Sequence, residues 1–413
     1  MRKAVLVFLL TCAAGVMAPG WVHAEDAPAA PADPTRGQWD SFLDPLRDVE
    51  DSISGAQKSF EDKTKIHLGG AYMQAYSWDF NRPNPGTLAL HAFDRHDEPT
   101  PTFAQLSATR PSEGWFIPGF GLKLAAGKVA REMKSDWDGD GVIGDHGDRF
   151  ETNNFDAEEA YLTWTVPDES PALKGLTFKG GKFVTLLGAE VIEPWLNYNY
   201  SRSLLFTLAI PITNTGLLAT YPITDKLSVT GGAVEGWDKV ASNNNGWTGM
   251  GNITWTATDM VTLAGNGIWG PEQNNKTGPK RGVADLVATI KPTSALTLNF
   301  NYDWGQEQEA ALTGGTAIWQ GLAAIANYNF TDRASAAVRA EWFEDHGGSR
   351  SATRQTLWEA TLTGKYLVTQ HFYSRVEYRH DESSKDDIFP ADNGKKALAG
   401  QDIVAVEFTY VFN

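Results

Sequence analysis

The chain reads as an all-β protein, a transmembrane antiparallel up-and-down barrel of about sixteen strands with a short N-terminal helix. Three observations predict this. Apolar and polar residues alternate strictly in segment after segment. Leu296, Leu298, Phe300, Tyr302 and Trp304 set against Thr297, Asn299, Asn301 and Asp303 give an extended strand one greasy and one wet face. The 413 residues include 15 Trp, 12 Tyr, 20 Phe and 40 Gly, which fits short aromatic-rich strands separated by turns. Beyond the first turns of the N-terminus no run of about 18 apolar residues occurs, so a spanning helix is excluded while spanning strands are not.

At the N-terminus Arg2 and Lys3 precede the apolar run Ala4 to Ala14, and the small-residue site Val22-His23-Ala24 stands before Glu25. A basic start, a short apolar core and such an end predict a secretory signal over residues 1–24, cleaved after Ala24. A rival reading, a lipoprotein signal centred on Cys12, is opposed by the size of Thr11 just before it. Cys12 is the one cysteine, so the mature chain contains no disulfide and takes its stability from elsewhere. Of 35 basic residues the mature chain retains 33, against 51 acidic ones, a net charge of −18 that argues against a nucleic-acid partner.

Residues 25–63 form an Ala/Pro-rich linker and an amphipathic helix. Asp44-Pro45 suits a helix start, and Leu46, Val49, Ile53, Ala56 and Phe60 follow at alternating three- and four-residue steps. Three readings stay open for this segment: a helix packed on the periplasmic rim or in the mouth of the barrel, a self-associating coiled coil, and a disordered tether.

From residue 64 to 413 the alternation predicts strands near 64–78, 102–110, 118–133, 153–166, 175–187, 215–223, 226–236, 247–258, 260–270, 282–291, 295–304, 316–330, 334–344, 354–367, 371–380 and 401–412. The last carries Val406, Phe408, Tyr410 and Phe412 on one face. Charged residues opposite large aromatics suit lipid outside and water inside rather than a soluble sandwich core. A loose repeat at Tyr221–Leu227, Trp255–Val261, Ile290–Leu296 and Tyr328–Ala334 joins strand end to strand start through Thr-Asp or Thr-Ser. Such side chains hold tight turns by local hydrogen bonds. These are the expected periplasmic turns, and polar Gly-rich stretches such as Pro271 to Arg281 are the expected outer loops. An even strand count returns both termini to the periplasm.

Gly181-Lys182-Phe183, Asn199-Tyr200-Ser201-Arg202-Ser203, Thr215-Gly216, Tyr221-Pro222 and Gly236-Trp237-Asp238 resemble the signature of the OmpL-like β-barrel porins, most strongly over residues 155–256. The chain departs from that pattern at Asn214, where a histidine is expected, and at Ser242 before Asn243 and Asn244. The resemblance implies an outer-membrane porin, a water-filled channel for small hydrophilic solutes or ions, and names no solute. Its expected partners are outer-membrane lipid, the solutes, and the outer-membrane assembly machinery acting on the C-terminal strand; homotrimers are open to such a barrel.

The long connection from Glu190 to Asn214 is expected to fold into the lumen and narrow it. Glu190, Glu193, Asn197, Asn199 and Arg202 are its polar contributors and Trp195 its anchor on the wall. The register points Lys123, Arg131, Lys179, Arg339, Lys365, Arg375 and Arg379 inward with Glu159, Asp285, Asp303, Glu341, Glu359, Glu377 and Glu407, seven of each sign. With the loop the acids lead nine to eight, which predicts a transverse field and a weak preference for cations.

Asp136, Asp138 and Asp140, with Gly141 and the Val142 carbonyl, match the first half of an EF-hand calcium loop. Gly147 stands where a bidentate Glu belongs, flanked by Asp145 and Asp148. Bound Ca2+ and a solvated acidic loop are both open here, and no cofactor is required. G-x-S-x-G, H-E-x-x-H and G-x-x-x-x-G-K-[ST] are missing, so no enzyme is expected. A lipid hydrolase or an adhesion barrel is the alternative.

Overall fold

A computed structural model describes residues 40–412 except 85–87, 93–96, 98–99, 115, 134, 137–153, 168–169, 171–172 and 393–394. The expected signal segment and linker, residues 1–39, lie outside the described residues. Helix α1 (Asp40–Thr64) leads into sixteen strands: β1 (His67–Asp79), β2 (Thr100–Arg110), β3 (Gly119–Ala126), β4 (Phe155–Thr165), β5 (Thr177–Val184), β6 (Thr213–Thr224), β7 (Leu227–Val234), β8 (Thr248–Thr258), β9 (Val261–Gly270), β10 (Arg281–Ile290), β11 (Leu296–Glu307), β12 (Ala317–Asn329), β13 (Ala334–Asp345), β14 (Gln355–Leu367), β15 (Phe372–Ser383) and β16 (Gly400–Phe412). Each strand pairs antiparallel with its neighbours in sequence. β1 closes on β16 from Gly70↔Phe412 to Asp79↔Ile403. Closure satisfies the backbone donors and acceptors that lipid cannot, which is what permits strands to span a membrane.

The period of two decides which way each residue faces. Along β14 and β15 buried and exposed positions alternate almost without fault. Leu217, Ile253, Leu286, Leu322, Val338 and Leu362 make an exposed apolar band. Trp269, Trp304, Trp358 and Tyr378 flank it toward the end carrying the long loops, and Trp255, Tyr328, Phe330 and Tyr366 flank it toward the end carrying the tight turns. Two aromatic girdles around an apolar belt are the lipid-facing pattern of an outer-membrane barrel. Among the described residues no helix is long and apolar enough to cross a membrane.

Two elements depart from the alternation. The third strand stops at Ala126 instead of running on to residue 133, because Gly127 takes φ 109 and turns the chain into the short helix α2 (Lys128–Glu132). Val129 and Ala130 bury while Arg131 is exposed, so Arg131 is no part of the strand wall. β4 contains a bulge: Lys123 pairs with Glu159 and Leu124 with Ala157, leaving Glu158 as the extra residue.

Helix α1 runs along the turn end of the barrel. Glu50 accepts from the Thr369 hydroxyl at 2.5 Å, Gln57 donates to the Leu68 carbonyl at 2.8 Å, and Ser54 approaches His371 at 3.4 Å. The apolar seam is not what docks, since Val49 and Phe60 are exposed.

Candidate pore constriction

Between β5 and β6 the chain folds into the barrel instead of over its rim. A short 3-10 turn (Pro194–Leu196) and a π-type turn (Leu205–Ala209) are its only regular pieces, so most of its backbone groups need partners from the wall. Arg375, near the turn end of β15, donates to the carbonyls of Pro194, Asn197 and Asn199 at 3.0 Å each and to Glu407 of β16 at 2.5 Å. The loop therefore reaches deep into the lumen.

Arg339 of β13 is the second clasp. Its guanidinium meets Glu190 at 2.8 Å, the Ser201 carbonyl at 2.7 Å, Glu359 at 3.1 Å and Glu341 at 3.2 Å. Arg379 donates to the Arg202 carbonyl at 2.6 Å and to Asp381. The acids of the wall take the loop's amides: Glu377 accepts from Tyr200 and Ser201, and Glu341 from Leu204. All three arginines are at most 1% exposed, and each is paired and hydrogen-bonded, the condition under which charge tolerates burial.

Beyond β16 and β1, Glu193 pairs with Lys123 of β3, which also meets Glu159 at 2.9 Å. Trp195 stacks on Phe103 of β2 at 5.4 Å, so it anchors the loop as its sequence position suggests. Asn199 donates to Thr363 of β14 at 2.7 Å. Asn197 and Arg202 act within the loop: Asn197 brackets the amide and carbonyl of Val191, and Arg202 donates to the carbonyls of Val191, Ile192 and Tyr200. They shape the loop instead of lining an opening.

Burial pushes the Glu190 carboxyl up, but Arg339, the Ser203 hydroxyl and amide, and Arg202 together hold it below the ordinary carboxylate range. Glu193 is depressed in the same direction: burial opposes ionisation and Lys123 overrides it. The loop is thus seated through ionised carboxylates.

The remaining wall residues face inward as their alternation requires. Lys179 lies over the Tyr161 ring at 4.3 Å and Lys365 over Tyr373 at 4.1 Å. Neither has a carboxylate partner among the described residues. Asp285 and Asp303 stand directly opposite each other on β10 and β11. Asn266 and Asn301 serve Asp285, while among the described residues both buried oxygens of Asp303 have no hydrogen-bond partner.

Several groups were missed by alternation. Glu158 faces inward through the bulge and accepts from Gln105 at 2.7 Å; the adjacent pair Glu158-Glu159 was the signal. Asp238 accepts the amides of Ile212 and Thr213 at 2.8 and 2.9 Å and so latches the end of the loop. That explains the Trp237-Asp238 motif mechanically. Asn214, at the position of departure, donates to the Gly236 carbonyl at 2.8 Å and performs the same joining.

Of the calcium-loop residues only Asp136 is described. It is buried, and its backbone pairs with that of Asp238 and Val240. Asp138, Asp140, Val142, Asp145 and Asp148 lie outside the described residues. Among the described ones no group of three or more His, Cys, Asp or Glu is disposed to hold a metal ion.

A closed sixteen-strand barrel with a lipid-facing belt and an inward-folded loop defines the class of outer-membrane porins. Within that class the chain belongs to the family described as Putative beta-barrel porin-2, OmpL-like, whose model matches residues 65–412. Solved structures agree on the fold. The anion-selective porin of Comamonas acidovorans superposes with a TM-score of 0.53 at 11% identity, covering 84% of this chain and 99% of its own. OprB of Pseudomonas putida gives 0.53 at 11%, with 87% and 97% covered. OmpT of Vibrio cholerae, in a trimer form, gives 0.52 at 10%, with 84% and 99% covered. No curated protein matches the chain.

Proposed function

We propose that the protein is a passive diffusion channel for small hydrophilic solutes and ions, narrowed by the loop of residues 185–212 and weakly preferring cations. The observation that carries this reading is the loop's seat inside the barrel, held by Arg339, Arg375 and Arg379 on β13 and β15 and by Lys123 and Phe103 on β3 and β2. Loop and wall present interleaved charges of both signs, which create a field across the lumen. Without Arg131 and with Glu158, the wall positions named above carry eight acids against six bases, and the loop adds Glu190 and Glu193 against Arg202. The imbalance is small, and the unpaired Lys179 and Lys365 keep it so.

The tight turns and α1 face the periplasm in this reading, with the long loops outside. The aromatic C-terminal strand is the segment offered to the assembly machinery, and the trimer form of the Vibrio cholerae neighbour supports a homotrimer.

Planar-bilayer recording of the refolded mature chain tests the proposal. It should give stable ion steps, a reversal potential of weakly cationic sign in a KCl gradient, and larger steps after deletion of residues 192–200. Clear anion selectivity would refute the charge argument, and unchanged steps after the deletion would place the constriction elsewhere.

A further inference from the structure

Above the loop's last turn, at the loop end of the lumen, lies a cluster that the constriction does not use. Arg350, on the connection between β13 and β14, places its guanidinium carbon 5.3 Å from the ring centroids of both Trp237 and Trp319. The two indoles meet edge to face at 6.4 Å and 89°. Trp319 can lie there because Gly305 faces it: a Cβ at that glycine would stand 2.1 Å from the ring. A second arginine, Arg281, sits 5.0 Å from the Trp237 centroid.

The two arginines differ in how their charge is answered. Arg281 is neutralised by a two-pronged pair with Glu307 at 2.8 and 3.1 Å. Arg350 spends only Nε, on the Leu208 carbonyl at 2.5 Å. Among the described residues no carboxylate lies within ion-pair reach of it and its two terminal nitrogens have no hydrogen-bond partner. Asp345, close in sequence, gives one oxygen to the amides of Arg350 and Ser351 and acts on the guanidinium only through its charge, without an ion pair. Trp237 adds a buried Nε1 donor with no acceptor among the described residues, whereas Trp319 Nε1 is taken by the Ala209 carbonyl at 3.2 Å.

Unpaired donors therefore gather at one spot, around a guanidinium that Glu307, Asp238 and Asp345 reach only at a distance. A buried donor left unmade is costly, and a guanidinium fork matches the two coplanar oxygens of a carboxylate. A neutral hydroxyl solute or water could accept from the donors but would leave the charge unanswered. Burial and the nearby Arg281 bring the Arg350 pKa down to about 10, so the group stays charged at neutral pH and an arriving anion relieves its crowding.

We propose that Arg350, Trp237 and Trp319 form a recognition site for the carboxylate of a small organic acid entering from the loop end. This rests on the channel reading for its biological setting, but the site itself can be tested without conduction. Calorimetry on the refolded mature barrel in detergent would compare benzoate with its neutral twin benzamide. We expect benzoate to bind at least ~10-fold more tightly, Arg350→Gln to weaken benzoate by ~10-fold or more, and Trp237→Phe to weaken it by ~3- to 10-fold, in line with charged and neutral hydrogen bonds respectively. Arg350→Gln also releases the Leu208 carbonyl, so Trp237→Phe, which keeps ring and loop bond alike, separates recognition from loop displacement. Absence of benzoate binding, equal binding of the two probes, or wild-type affinity in both variants would overturn the site. Conductance is recorded separately: a barrel that binds benzoate without conducting sinks the channel reading and leaves the site standing.

Discussion

Replacing Arg375 by Met should unseat the constriction without opening the barrel. The side chain holds three loop carbonyls at 3.0 Å and neutralises Glu407, all away from solvent. Counted singly, hydrogen bonds to a charged group stabilise by about 1.5–3 kcal/mol, but such terms do not add. Breaking the buried pair with Glu407, which joins two wall strands, costs about 3–5 kcal/mol and falls on the stability of the barrel. At ~1.4 kcal/mol per tenfold, loss of even one such hydrogen bond to the loop shifts its seated-to-released ratio by about one to two orders of magnitude. Arg339 and Arg379 still hold the stretch from Glu190 to Arg202, so the freed part is the tip around Pro194–Asn199. Single-channel recording should show larger and noisier steps in Arg375→Met. The double variant with Glu407→Gln removes the orphaned charge, so it should regain wild-type resistance to heat in detergent while keeping the noisy channel. A folded Arg375→Met barrel with wild-type steps and noise would refute the idea that these carbonyl bonds hold the tip.

Other outcomes follow from the same geometry. Because Glu190 is depressed in the seated loop, its contribution is fully present above the ordinary carboxylate range and is lost as pH falls through the lowered value; conductance should therefore hold steady from pH 7 through that range and rise only below it, with Glu190→Gln already raised at pH 7. Asp303→Asn removes a buried carboxyl that has no donor and faces Asp285, so it should leave the thermal midpoint equal or higher; a lower midpoint would mean that a proton or ion shared by the pair is worth more than their repulsion. An impermeant thiol reagent on whole cells should label a cysteine at Asn275 and spare one at Asp225, the reverse pattern inverting the topology. If the 136–148 loop holds Ca2+, calorimetry will show a calcium heat that Asp138→Ala abolishes, and equal heats would remove that loop from consideration.

How far the sequence reaches can be judged from particular residues. The strands were legible because lipid and lumen impose opposite demands on neighbouring positions, and Leu296 to Trp304 meets both demands over its whole length. The same logic fails where one residue breaks the period. Arg131 continues the inward parity of Lys123 on paper, yet Gly127 at φ 109 ends the strand between them. Glu158 and Glu159 share the lumen because a bulge absorbs one of them. Neither break leaves more than a glycine or a doubled charge as its mark.

The loop shows a different limit. Its length suggested that it enters the barrel, and Trp195 was readable as its anchor, whereas Glu190 and Glu193, expected as polar contributors to the opening, have side-chain partners on the wall. What could not be read is that Arg339, Arg375 and Arg379 grip carbonyl oxygens, for every residue carries one and the sequence marks none of them. Arg202 illustrates the consequence: its composition suits a pore-lining charge, but a loop with little regular structure needs donors for its own carbonyls, and the nearest guanidinium supplies them. Helix α1 obeys the same rule from outside. Its three-four apolar repeat identifies a seam, yet a turn end offers hydroxyls and open backbone groups, so the face that meets it is the polar one of Glu50, Ser54 and Gln57. Period locates side chains of like character; only the partner's unmet hydrogen bonds decide which of them are used.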